Sequence, residues 1–318
     1  MKKPYFYLIF ISSALVLSYF FMQMRFSFNQ ENPAATLAAL AKGSAAKPFQ
    51  YRALIFWIAD FFIRHKLLPL TFLYDFFKLT EMLSLFFLVI VFRWYLSLFF
   101  KEKKISSLLS LSIFYVLPFN FLLPRVLPLY YPYDIPSILF FTLGLGLLYK
   151  KNWLLYYPLF VIASLNRETA CFLTFVYLFT AYKVEKPAKI ACHCLAQLAL
   201  WLAIKGVLYQ LYLHNPGPNV FERCHVGTNI THLSTNIAFF MHLRDYPFFF
   251  SNFGFIWIPV IFYLKAIREP FVKRALFVFF PFFIGMMYVG NIYEIRIFGE
   301  LVPLFLTAAL LIFKELLI

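Results

Sequence analysis

Long apolar runs separated by short polar breaks make up most of this chain, and the breaks are predominantly basic. A helix that crosses a bilayer needs about 20 apolar residues. On that measure the runs predict spans at roughly 4–22, 80–100, 105–123, 136–149, 152–165, 170–182, 189–213, 247–264, 275–290 and 301–317. Apolar positions are continuous rather than alternating with period two, which argues against a strand barrel. The expected fold class is therefore all-α: one polytopic membrane helical bundle over 1–318, with about ten spans. Residues 1–22 resemble a signal peptide, but Phe21-Met22-Gln23-Met24-Arg25 offers no small-x-small cleavage site, so an uncleaved first span is expected.

Two regions depart from plain spanning helices. Residues 23–79 form a long first outer loop, in which 53–63 (ALIFWIADFFI) and 67–77 (LLPLTFLYDFF) are each too short to cross. Both suit helices lying along the membrane surface or re-entering it; a hairpin crossing by the pair is the rival reading, disfavoured because Arg64, His65 and Lys66 would form its tip. Residues 152–182 pose the opposite problem, being too long for one crossing. At 1.5 Å per residue they would measure about 46 Å, against a hydrocarbon core of about 30 Å. Two short helices meeting at Asn166-Arg167-Glu168-Thr169 resolve the excess, and place that turn below the outer surface.

Composition agrees with the pattern. Of 318 residues, 63% are hydrophobic and only 14% charged, where a soluble domain carries about 25% charged residues. With 10 glycines, a glycine-rich nucleotide loop is not expected; Gly144-Leu-Gly146 lies inside an apolar run and lacks the third glycine. The four cysteines suggest no disulfide framework, and Cys192-His193-Cys194 lacks a second ligand pair at zinc spacing.

The net charge of +15 would suit nucleic acid if it were spread over a soluble surface. Instead, about half of the 29 Lys and Arg fall in six clusters: Lys2-Lys3, Lys101/Lys103/Lys104, Lys150-Lys151, Lys183/Lys186/Lys189, Lys265/Arg268/Lys273/Arg274 and Lys314. Putting all six in the cytoplasm satisfies the positive-inside rule. Both termini are then cytoplasmic, and residues 214–246 are an outer loop. Membrane lipids, not DNA or RNA, are the partners this charge implies.

Ionisable groups at membrane depth are costly and mark candidate sites. Asn166-Arg167-Glu168-Thr169 is the strongest such signal, because Arg167 carries a planar fork suited to phosphate or carboxylate; a solvated helix turn is the plainer reading. Tyr130-Tyr131-Pro132-Tyr133-Asp134 lies among Pro124, Pro128, Pro132 and Pro136, a spacing that predicts a stiff extended segment. It would offer tyrosine rings and a carboxylate to a sugar, unless it is an ordinary interfacial tyrosine belt. Glu294-Ile-Arg296, with Glu300 four residues beyond, puts three charges between two apolar helices, and Arg52 adds a cation to the same outer face. Lys205, in mid-span, is either a buried functional lysine or one that snorkels. His214, His225, His232 and His242 have no close pairs and are expected to be solvated. No metal site is assigned and no cofactor is named, a divalent metal being the one candidate kept.

This arrangement resembles the GT-C (type C) glycosyltransferases, many-pass enzymes that use polyprenyl-phosphate-linked sugars. More narrowly, PFQYRAL at 48–54, YD at 133–134, SLNRETA at 164–170 and EIRIFGELVPL at 294–304 look like an uncharacterised bacterial membrane family with the same landmarks. The resemblance implies surface helices in the first outer loop and a bacterial inner-membrane location. It also implies a carboxylate base on the non-cytoplasmic face, usually early in that loop, where the acid here is Glu31. The candidate bases are Asp134, Glu168 and Glu31. Arg52, Arg167 and Arg296 would hold the donor phosphate, with Asn166, Tyr133, Glu294 and Glu300 as further site candidates. The implied activity is transfer of a sugar from a polyprenyl-phosphate donor to an acceptor. A transporter or lipid flippase would use the same buried charges as a path, although the two halves show no inverted repeat; a non-catalytic scaffold is the third class.

Overall fold

The computed structural model describes residues 3–123, 129–217, 224 and 229–317. Among the described residues the secondary structure is helical, with β pairing confined to isolated bridges such as Gln30 with Leu129. The first half contains α1 (Lys3–Phe28), α2 (Leu37–Ala41), α3 (Leu54–Arg64), α4 (Leu73–Leu96), α5 (Lys103–Ser110), α6 (Ile113–Phe121), α7 (Asp134–Tyr149) and α8 (Trp153–Asn166). The second half contains α9 (Phe172–Ala181), α10 (Pro187–Leu211), α11 (His232–Met241), α12 (Tyr246–Phe250), α13 (Trp257–Phe262), α14 (Pro270–Ala275), α15 (Phe279–Val289) and α16 (Val302–Leu317).

Five stretches are helical, long and apolar enough to cross a membrane: Pro4–Phe28, Lys103–Phe121, Pro187–Leu211, Pro270–Val289 and Ile295–Leu316. The chain is thus a helical membrane protein. Exposed Leu, Ile and Phe along α1, α10 and α15 fit that setting, since hydrocarbon covers them without cost.

Some of the expected spans differ in detail. The second amphipathic segment, 67–77, is not a separate short helix. After one 3-10 turn, Leu70–Phe72, it runs straight into α4. Nothing at 73–79 breaks a helix, so the intrahelical hydrogen bonds simply continue. Only α3 is a separate short helix there, burying Ile55, Phe56 and Ala59 while exposing Phe61. The expected span 247–264 is not one helix either. Phe253 (φ 56°), Gly254 (φ 62°) and Phe255 (φ 63°) are left-handed and separate α12 from α13. Asn120 holds this reversal, donating to Asn252 Oδ1 (2.6 Å) and accepting from the Phe253 amide (3.1 Å).

The break at 166–168 falls where the excess length placed it. Arg167 is extended (φ −157°, ψ 138°) between α8 and the 3-10 turn Glu168–Cys171 that leads into α9. With 14 residues in α8 and 16 in α7, these helices are about 21 and 24 Å long, shorter than the hydrocarbon core. Their ends, Asn166–Arg167 and Asp134, consequently meet inside the bundle rather than at its surface.

Close helix packing explains the two glycines of α7. A Cβ on Gly146 would lie 2.2 Å from the Trp94 ring of α4, and one on Gly144 would lie 2.6 Å from the Leu173 side chain of α9. Small residues let spanning helices approach in this way. Overpacking costs roughly 1–3 kcal/mol, and alanine recovers about 1 kcal/mol through helix propensity. Gly146→Ala is therefore expected to lower the unfolding temperature in detergent, and Gly146→Val to lower it further. An unchanged or raised midpoint for the alanine variant would mean that Trp94 moves aside freely.

Candidate functional site

One carboxylate organises the junction of α1, α4, α7 and α8. Asp134, the first residue of α7, is fully buried. Its Oδ2 lies 2.8 Å from Arg25 Nη2 and 3.5 Å from Arg296 Nη1, and its Oδ1 lies 3.4 Å from Arg167 Nη1. Arg25, on α1, also reaches Glu81 of α4 at 3.1 Å, with both side chains fully buried. Arg167 reaches Glu300 at 3.3 Å, and the Thr169 hydroxyl donates to the same oxygen. Arg25, Arg167 and Arg296 thus face Glu81, Asp134, Glu294 and Glu300, and each of these carboxylates has an arginine against it, as burial requires. Pro136 sits in the first turn of α7, where a proline costs the helix nothing.

In front of this knot lies a cavity of about 840 Å³. Its polar wall carries Arg52, Arg167, Lys205 and Arg296 against Glu168 and Glu294. Arg52 holds Glu168 at 2.8 Å and donates to the Tyr133 hydroxyl, while Lys205 stands 3.8 Å from the other Glu168 oxygen. Burial works against the charge of Arg52, but Glu168 and Tyr133 more than offset it, and its pKa stands well above the ordinary arginine value. Glu294 is held by Arg296 and accepts from Asn291 (2.8 Å), which in turn meets His232 Nδ1 at 2.7 Å. Tyr131 joins the wall with the Arg296 guanidinium 4.5 Å above its ring, and Tyr133 stacks behind it at 5.2 Å. The opposite side is apolar, with Phe172, Phe175, Ile284 and Tyr288. Ile284 and Tyr288 are 57% and 55% exposed, so this side opens laterally where lipid would lie.

No family model, curated protein or solved structure matches the chain.

Of the expected residues, Arg52, Arg167, Glu168, Glu294 and Arg296 line the cavity together. Asp134, Tyr133, Asn166 and Glu300 stand behind that wall; Asn166, for example, donates to the Tyr133 carbonyl at 3.0 Å. Asp134 is not displayed from a stiff extended loop, because it begins a helix and its carboxylate is spent on three arginines. Pro124 and Pro128 of that expected segment, like His225, lie outside the described residues. The three tyrosines are buried rather than forming an interfacial belt. Glu31 is not on the cavity wall. It accepts from the Leu37 amide at the start of α2 (2.9 Å) and from the Tyr74 hydroxyl, tying the segment between α1 and α2 to α4. Lys205 is a buried, paired lysine and does not snorkel. His232 is buried against Asn291 rather than solvated. Among the described residues no three His, Cys, Asp or Glu side chains come together to hold a metal.

Arg25 and Glu81 escaped the sequence reading. Arg25 stands beyond the expected end of the first span at 22, and Glu81 stands one residue inside the expected span 80–100, so both read as charges at a span end and not at depth. In the structure α1 continues to Phe28 and α4 begins at Leu73, so both charges fall within helices.

Both ion pairs of Arg167, to Asp134 and Glu300, run through the single nitrogen Nη1, which leaves the rest of its planar fork for a phosphate in the cavity, a grip that a lysine does not reproduce. Arg167→Lys is therefore expected to impair function nearly as much as Arg167→Ala, with activity down at least ten-fold at equal amounts of folded protein. Full activity in the lysine variant would reduce Arg167 to a structural cation.

Proposed function

We propose that this chain is a membrane glycosyltransferase of the GT-C kind, moving a sugar from a polyprenyl-phosphate donor to an acceptor hydroxyl on the non-cytoplasmic face. The observation that carries this reading is the amphipathic cavity, where four cations and two carboxylates face an apolar side open toward lipid. Such a cavity suits a ligand with a phosphate at one end and a long hydrocarbon chain at the other. A carboxylate on the same wall is what an inverting transfer needs to take the acceptor's proton.

In this scheme the acceptor oxygen attacks the anomeric carbon as its proton passes to a carboxylate. The bond from that carbon to the phosphate oxygen breaks, and its electron pair stays on the phosphate. Arg52, Arg167 and Arg296 stabilise the charge that develops there. A base must reach its proton, directly or through one water, which favours the wall residues Glu294 and Glu168 over Asp134 and Glu31. Glu294 leads, because one of its oxygens faces the neutral Asn291 amide, whereas Glu168 is engaged by cations on both oxygens. Asp134 is then the residue that positions the arginines. No step calls for a metal or other cofactor.

The same reading puts the protein in a bacterial inner membrane with about ten crossings and both termini cytoplasmic, as the basic clusters favour. Single cysteines at positions 44 and 102, in a background lacking the native four, test the orientation. An impermeant reagent added to intact cells should label position 44 only; labelling of 102 would reverse the topology. The activity itself is tested by incubating washed membranes with radiolabelled polyprenyl-phosphate sugar. Label leaving the lipid for an acceptor supports transfer, whereas label crossing the bilayer still attached to its lipid means a flippase.

A further inference from the structure

A second cavity, of about 510 Å³, lies on the other side of α15 and shares no lining residue with the first. Its wall is almost wholly apolar and mostly aromatic, with Phe249, Phe253, Trp257, Phe279, Phe283 and Phe305 among its lining residues. Its polar lining residues are Asn252 and Lys273. Asn252 Oδ1 is already bonded to Asn120. An internal water needs two to four polar partners, so this space does not suit water. Left bare, its lining would forgo dispersion contacts on one side. Ile261, Phe277 and Phe280 of its lining are 61%, 47% and 59% exposed, so the cavity is open to whatever surrounds the helices. In a membrane protein that is hydrocarbon.

The basic cluster at 265–274 says what head such a chain carries. Arg268 is committed to Glu315 at 2.7 Å, and Arg274 to the carbonyls of Tyr182 (3.1 Å) and Thr180 (3.4 Å). Lys273 lines the cavity, and Lys265 follows Leu264, which also lines it. Among the described residues neither lysine has an ion-pair partner. We propose that this cavity is a lipid-binding site for an anionic phospholipid, with one acyl chain against the aromatic wall and the phosphate at Lys273 and Lys265. The site is separate from the polar cavity and does not depend on the transferase reading. A lysine near an anionic lipid surface contributes about a five-fold preference, so a pair of them selects an anionic head from a zwitterionic one bearing the same chains.

Trp257 lies in the wall and reports occupancy directly. The full-length protein is reconstituted in phosphatidylethanolamine vesicles carrying a minor fraction of brominated-chain phosphatidylglycerol or phosphatidylcholine. The Trp257 signal is taken as the difference between wild type and Trp257→Phe. Phosphatidylglycerol should half-quench that signal at a mole fraction at least five-fold lower than phosphatidylcholine does. K265Q/K273Q should bring the two lipids to parity while each still quenches. Equal quenching by both lipids in the wild type would mean ordinary boundary lipid and would overturn the proposal. So would a preference retained in the double lysine variant.

Discussion

Asp134→Asn is expected to lower the stability of the folded protein by about 3–5 kcal/mol, whatever it does to activity. Asp134 is fully buried and lies within 3.5 Å of Arg25, Arg167 and Arg296. The amide keeps its size but cannot balance the arginines, and Arg25, with no exposed surface of its own, is left with Glu81 as its one remaining carboxylate. Removing one partner of a buried pair costs more than the pair itself contributes, because the remaining charge stays desolvated. The variant should therefore give little folded protein, or a much lower unfolding midpoint in detergent. Arg25→Gln combined with Asp134→Asn should recover part of the loss, since the two changes share one interaction. If Asp134→Asn folds with an unchanged midpoint and loses only turnover, Asp134 is a catalytic group and not an anchor.

The wall carboxylates are expected to behave in the opposite way. Glu294→Gln should reduce sugar transfer by roughly 10²–10⁴-fold, the usual contribution of a general base, with amounts of folded protein near wild type. Its side chain and that of Glu168 are each 20% exposed, and each has cavity space in front of it. Losing the charge is therefore less disruptive to folding than at Asp134. Glu168→Gln should fold as well, but its main effect should fall on donor affinity, because Arg52 and Lys205 lose the carboxylate that holds them in position for the phosphate. KM rising at nearly constant kcat in Glu168→Gln, against kcat falling in Glu294→Gln, would separate the roles. Normal kcat in Glu294→Gln would move the base to Glu168.

Much of this was legible from residue spacing alone. The excess length of 152–182 and the lysines at both its ends required a break at Arg167, and the break places that arginine at depth. The landmarks around Arg52, Arg167 and Arg296 were visible because a charge among apolar residues is costly wherever it falls. What spacing cannot give is which charges meet. Arg25 and Asp134 stand 109 positions apart and come together only because α1, α4 and α7 pack side by side. Nor does a sequence tell a wall residue from one behind the wall: Tyr131 and Tyr133 differ by two positions, yet only Tyr131 lines the cavity. The left-handed turn at 253–255 was hidden for another reason. Its flanks are as apolar as a span, and the asparagine that holds it, Asn120, lies on a distant helix.

The central claim is that the polar cavity breaks the bond between a sugar and a lipid phosphate. Its most direct test is a single-turnover reaction of the purified, reconstituted protein with sugar-labelled polyprenyl phosphate and an extract of cell-envelope acceptors. Free polyprenyl phosphate and labelled acceptor should appear in equal amounts in the wild type, and neither should appear in a Glu168→Gln/Glu294→Gln variant that still binds the donor. Donor that binds and is recovered intact from the wild type, on either side of the bilayer, would contradict the account.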